Sequence, residues 1–207
     1  MSLVDRHLKP LMRQIATQDV IEVVQPGDWA TAGALAYVAE CYGFRYAGAR
    51  LVGRYKILHV RLVRDTSPAA QQRAAANLAA FPDPGKGRPV PGMYLGSLTP
   101  VPETEQEVAT LATLIQYDAT LAAANRKQLL AMACGFPVLF VLLAVVTGKY
   151  AVVLPLAVLM PLFLLGSLRI NAARRAKLAE RLRAAGCTPV RDADGRERYV
   201  RPEAHAV

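Results

Sequence analysis

Three cysteines, three histidines and one tryptophan are all that this 207-residue chain holds of those residue types. Cys41, Cys134 and Cys187 share no close spacing, which argues against a disulfide framework or a thiolate metal site and fits a reduced, cytoplasmic setting. His7, His59 and His205 stand apart, with no carboxylate or cysteine at ligand spacing, so no metal site is expected. No G-x-S-x-G, H-E-x-x-H or glycine-rich phosphate loop occurs; Gly85-Lys86-Gly87 lies among prolines and opens no helix. The expectation is a protein without a cofactor and without enzyme activity.

Acidic residues are missing from Ala119 to Ala179. Within that span Lys127 and Lys149 bracket one uncharged run, and Lys149 and Arg169 bracket a second. Each is near the ~20 residues that cross ~30 Å of hydrocarbon as a helix. Composition therefore predicts a two-helix transmembrane hairpin over 128–168, with spans at 128–147 and 150–168. The first thirty residues hold Asp5, Arg6, His7, Lys9, Arg13, Asp19 and Glu22 and no apolar signal core. Arg126 and Lys127 on one flank, and Arg169, Arg174, Arg175 and Lys177 on the other, then place both termini in the cytoplasm of a bacterial inner membrane. The same four residues after the second run are candidate contacts to lipid headgroups, which makes membrane lipid an expected partner.

The remaining chain reads as α+β. Val20–Val24 is a strand, Asp28 is an N-cap for a helix over 29–42, and Phe44–Val52 and Tyr55–Val63 form a hairpin turned at Gly53-Arg54. Ser67 caps a second helix that ends near Phe81, and Met93–Ser97 offers a fourth strand. This order predicts a ferredoxin-like, split β-α-β cytoplasmic domain over 1–100. A helical arm follows over 101–127, its stripe of Val108, Leu111, Ile115 and Ala122 either projecting or packing back on the domain. Beyond the membrane, 169–207 holds a basic helix and a small β-hairpin that either joins the sheet or stays poorly ordered.

A turn at Gly53-Arg54 puts Ala47, Ala49 and Leu51 on a core face with Leu58, Val60 and Leu62. The opposite face then carries Tyr46, Arg50, Tyr55, His59 and Arg61, with Tyr46 opposite Arg61. From Cys41 to Arg64 there are six Lys or Arg and no Asp or Glu, a composition that suits a ligand face or a nucleic-acid face with rings for bases and Arg for phosphates. An ordinary solvated face with cation–π pairs has the same composition. Three functions follow as expectations. The first is a membrane-tethered scaffold or accessory subunit that binds protein partners or a further copy of itself. The second is a membrane-tethered nucleic-acid-binding protein, in DNA transfer or septal handling. The third is a holin-like oligomer, which rests on the uncharged hairpin alone.

Overall fold

Leu8, Leu11 and Ile15 recur at helical spacing, and helix α1 (Leu3–Thr17) buries all three. The charges of the first twenty residues hid this helix from the sequence reading, because its apolar stripe is only three side chains wide. The computed structural model describes residues 3–25, 28–82, 84, 88–123, 135–136, 138–143, 145–146, 150–191, 195 and 197–201. The chain divides into two units: Met1–Ala122 with Ala179–Val207, and Ala123–Leu178.

In the first unit, strands β1 (Val20–Gln25), β2 (Phe44–Val52) and β3 (Ile57–Arg64) form one antiparallel sheet in the order β1-β3-β2. Helix α2 (Trp29–Cys41) and helix α3 (Pro68–Ala80) have Asp28 and Ser67 as N-caps. Helix α4 (Pro102–Ala123) follows. Leu8, Leu35, Val38, Leu62, Leu111 and Ile115 belong to one core, in which α1, α2 and α4 meet the inner side of the sheet. Of the two readings of the arm, packing back on the domain is the one realised over Pro102–Ala123; 124–127 lie outside the described residues. Helices α2 and α4 approach closely at Gly33, where a Cβ would lie 2.9 Å from the Ala112 Cβ and 2.9 Å from the Val108 carbonyl oxygen.

The Asp28 carboxylate accepts hydrogen bonds from the backbone N–H of Ala30 at 3.1 Å and of Thr31 at 3.2 Å, and also from the Thr31 hydroxyl. The Thr31 hydroxyl bond, followed by the backbone bonds, holds its pKa below the usual aspartate range. A depressed folded-state value contributes stability above the unfolded pKa, and that stability is lost as pH falls through the folded one. Asp28→Ala should therefore lower unfolding stability by about 1 kcal/mol at neutral pH. The difference from the wild type should shrink in urea titrations repeated at increasingly acid pH.

The expected fourth strand at Met93–Ser97 does not form. Met93 makes only an isolated bridge to Pro100, and Tyr94 N–H donates to the Thr99 carbonyl at 3.0 Å while Ser97 N–H donates back to Tyr94 at 3.0 Å. Tyr94 and Ser97 spend these groups within the loop, and Met93–Ser97 joins no ladder with β1. The ferredoxin-like expectation is corrected to a three-stranded sheet with helices. A separate two-stranded sheet joins β4 (Thr188–Arg191) to β5 (Glu197–Val200).

Register inside the β2–β3 hairpin also departs from expectation. The turn spans Gly53–Lys56 rather than two residues, with Gly53 at φ 75° and Lys56 at φ 49°, and pairs Val52 with Ile57 and Arg50 with His59. A shift of two residues leaves the side chains from Gly48 to Leu62 on their expected faces. The register slips again between Tyr46 and Gly48, where Ala47 is an extra residue on β2. This β-bulge turns Tyr46 and Phe44 to the inner side, with Tyr46 now paired to Leu62.

Among the described residues no helix is long and apolar enough to cross a membrane. This overturns the two-span transmembrane hairpin at 128–147 and 150–168. It likewise overturns the two-pass placement in a bacterial inner membrane with both termini in the cytoplasm. Composition counts uncharged residues, whereas a span needs one uninterrupted apolar helix. The run after Lys149 is not a separate element: it is the start of α5 (Tyr150–Ala184), which has Pro155 and Pro161 inside it and continues through the basic residues 169–183. The earlier run is described as helix only at 135–136, 138–143 and 145–146; the rest lies outside the described residues. The second unit leaves Val138, Leu142, Val146, Leu159, Leu162 and Phe163 exposed.

Candidate binding surfaces

Two surfaces of the first unit gather polar side chains into defined geometry. The outer side of the sheet carries Val20, Glu22 and Val24 from β1, Ile57, His59 and Arg61 from β3, and Arg50 and Val52 from β2. Register places Val24, His59 and Arg50 in one row and Glu22 beside Arg61 in the next. Val24 is 52 % exposed, Val20 44 %, Val52 37 % and Ile57 36 %. At the centre of the face the Arg50 guanidinium donates to Glu22 Oε1 at 3.0 Å, and His59 Nδ1 lies 3.2 Å from the same oxygen. Arg50 first, and His59 after it, hold the Glu22 carboxyl below the usual carboxylate range.

The structure brings Arg50, His59 and Arg61 onto one face. Their convergence point, Glu22, was not among the expected site residues, because only the β1–β3 register puts it there. Tyr55 stands in the β2–β3 turn, 85 % exposed. Tyr46 is not on this face: the bulge turns it inward, where its hydroxyl donates to Asp118 Oδ2 at 2.8 Å. Burial, with the Asp118 charge behind it, raises the Tyr46 pKa well above the tyrosine range. Along α5, Arg169, Arg174 and Lys177 are exposed and Arg175 is half-buried.

The second surface lies where the terminal hairpin meets α2, β2 and α4. Arg198 Nη2 approaches Asp118 Oδ2 at 3.1 Å and donates to the Ala47 carbonyl at 2.7 Å. Arg201 pairs with Glu40. Tyr199 meets Tyr117 edge to face, with ring centroids 5.1 Å apart. Burial pushes the Glu40 carboxyl up, and the Arg201 charge opposes that shift. None of these residues was an expected site. A signal did exist in α4, since Asp118 falls seven residues after Leu111 and three after Ile115, on the buried stripe. A carboxylate there requires a partner, but its identity, 80 residues away in the sequence, has no local trace.

Burial pushes the Cys41 thiol up to about 11 and raises that of Cys187, the direction opposite to that of an activated thiol; Cys134 lies outside the described residues. Among the described residues no three His, Cys, Asp or Glu side chains are grouped as metal ligands. A cleft of about 530 Å³ lies elsewhere, lined by His7, Asp28, Thr31, Glu105 and Val108 among others. There the Asp28 carboxylate is already committed to capping α2. No protein-family model matches the chain, and no curated protein or solved structure matches it either.

Proposed function

We propose that the first unit is a non-catalytic protein-binding module, an accessory or scaffold subunit that docks a partner on the outer side of its sheet. One observation carries the reading: the helices pack on the inner side, leaving Val20, Val24, Val52 and Ile57 exposed around the Arg50–Glu22–His59 cluster. Exposed apolar side chains gathered on one face, rather than scattered singly, mark an interaction surface. Its three residues stand on three adjacent strands, so the sheet sets the positions at which a partner meets them.

Substituting Val24→Lys together with Ile57→Lys tests this directly, because both side chains are exposed and their loss leaves the core intact. Cross-linking and affinity capture should recover the partner with the wild-type chain and at least about tenfold less of it with the variant, while stability stays within roughly 0.5 kcal/mol. Equal recovery by the two chains would sink the proposal. A nucleic-acid reading draws on Arg50 and Arg61, but the loss of Tyr46 to the interior removes one of its stacking rings. Its signature would be salt-sensitive retardation of DNA or RNA that Arg50→Ala with Arg61→Ala weakens.

A further inference from the structure

We infer that Glu40 and Asp118 form a receptor for an Arg-x-x-Arg strand, filled here by the chain's own Arg198 and Arg201 and open to the same motif on a protein partner. The receptor belongs to the N-terminal part of the chain, and several of its features fit an incoming guanidinium. The bulge at Ala47 leaves a carbonyl oxygen that accepts from Arg198 at 2.7 Å. Gly48, at φ 153°, leaves room beside it, since a Cβ there would stand 2.8 Å from Arg198 Nη2. Asp118 is anchored by the Tyr46 hydroxyl, and Glu40 accepts from the Tyr46 backbone N–H at 3.4 Å. Tyr117 supplies an aromatic seat for Tyr199, the first of the two residues between the arginines.

The occupant is held through side chains. Strands β4 and β5 pair only with each other, and the described residues show no backbone ladder between them and the three-stranded sheet. A two-stranded hairpin is marginal on its own, and its place rests on these ion pairs and the tyrosine contact together with the Tyr117 hydroxyl bond to the Glu197 carbonyl, the Arg183–Glu197 pair and the buried Leu182 and Cys187 before it. Side-chain contacts of this kind are reproducible by another chain that presents arginines at the same spacing. Charge complementarity names the partner chemistry: a basic strand with Arg at positions i and i+3, since a planar guanidinium forms directed bonds to carboxylate and carbonyl together.

The test uses the full chain carrying Arg198→Ala and Arg201→Ala, with a labelled Glu-Arg-Tyr-Val-Arg peptide as probe and the same peptide with both Arg replaced by Ala as control. Saturable binding at least tenfold tighter than to the wild-type chain, absent for the control and lost on adding Glu40→Gln and Asp118→Asn, is the expected result. A natively folded variant that does not bind the peptide overturns the inference. Should the double variant fail to fold, hydrogen exchange on the wild-type chain decides. Amides of 188–191 and 197–200 exchanging ahead of those of α2 show an occupant that leaves by itself; exchange only together with α2 shows a fixed part of the core and refutes a receptor.

Discussion

Asp118→Ala should lower the unfolding free energy of the first unit by about 3 kcal/mol, measured as a shift of the urea midpoint at constant slope. Asp118 is 6 % exposed and serves two donors at once, the Tyr46 hydroxyl at 2.8 Å and Arg198 at 3.1 Å. Removing one member of a buried ion pair costs roughly 3–5 kcal/mol, because the remaining charge stays desolvated. Arg198 is about a third exposed, with 35 % of its side chain accessible, and can turn partly to water, which sets the expectation at the low end. The Tyr46 hydroxyl has no such escape, and an orphaned buried donor adds about 1 kcal/mol or more. Asp118→Asn keeps an acceptor for Tyr46 and should lose about half as much. A change below roughly 1 kcal/mol for Asp118→Ala would show that the network is energetically idle.

Gly33→Val should destabilise by about 2–3 kcal/mol and lower the Tm by roughly 5–10 °C in a thermal melt. Gly33 sits where α2 crosses α4, and its missing Cβ is what lets the helices meet. A side chain there would press on the Val108 carbonyl at 2.9 Å, and a backbone oxygen cannot rotate aside as a long side chain can. Relief requires the helices to separate, which loosens Leu35 and Leu111 on either side of the core. Gly33→Ala carries the same clash in smaller form, opposed by a gain in helix propensity of up to about 1 kcal/mol. A variant that melts with the wild type would mean that α2 and α4 are free to move apart.

These two residues mark where the sequence is legible and where it is not. Asp28 before Trp29, and Ser67 before Pro68, are local signals, and both caps are present. The alternation of Leu58, Val60 and Leu62 named the buried side of β3 without any knowledge of its neighbours. Position 46 fails the same logic, because alternation assumes an unbroken register and Ala47 interrupts it. The apolar runs fail for a related reason. Charge-free length was read as two spans, whereas the second run continues into the basic helix as the single element α5. Glu22 and Glu40 were visible as carboxylates, but which arginine each meets is a matter of strand pairing and of a hairpin that returns from the far end of the chain.

The sequence by itself determined the two caps, the strand, helix, hairpin, helix order between Val20 and Ala80, the core face of β3 and the basic character of the β2–β3 hairpin. Each depends on residues within a few positions of one another. Tertiary structure alone decided that Arg50 and His59 converge on Glu22, that Tyr46 turns inward to Asp118, and that Arg198 and Arg201 seat beside Asp118 and Glu40. Those pairings join residues 28 to 161 positions apart. Backbone propensity does not act over such distances; register, packing and the need to satisfy buried charge do.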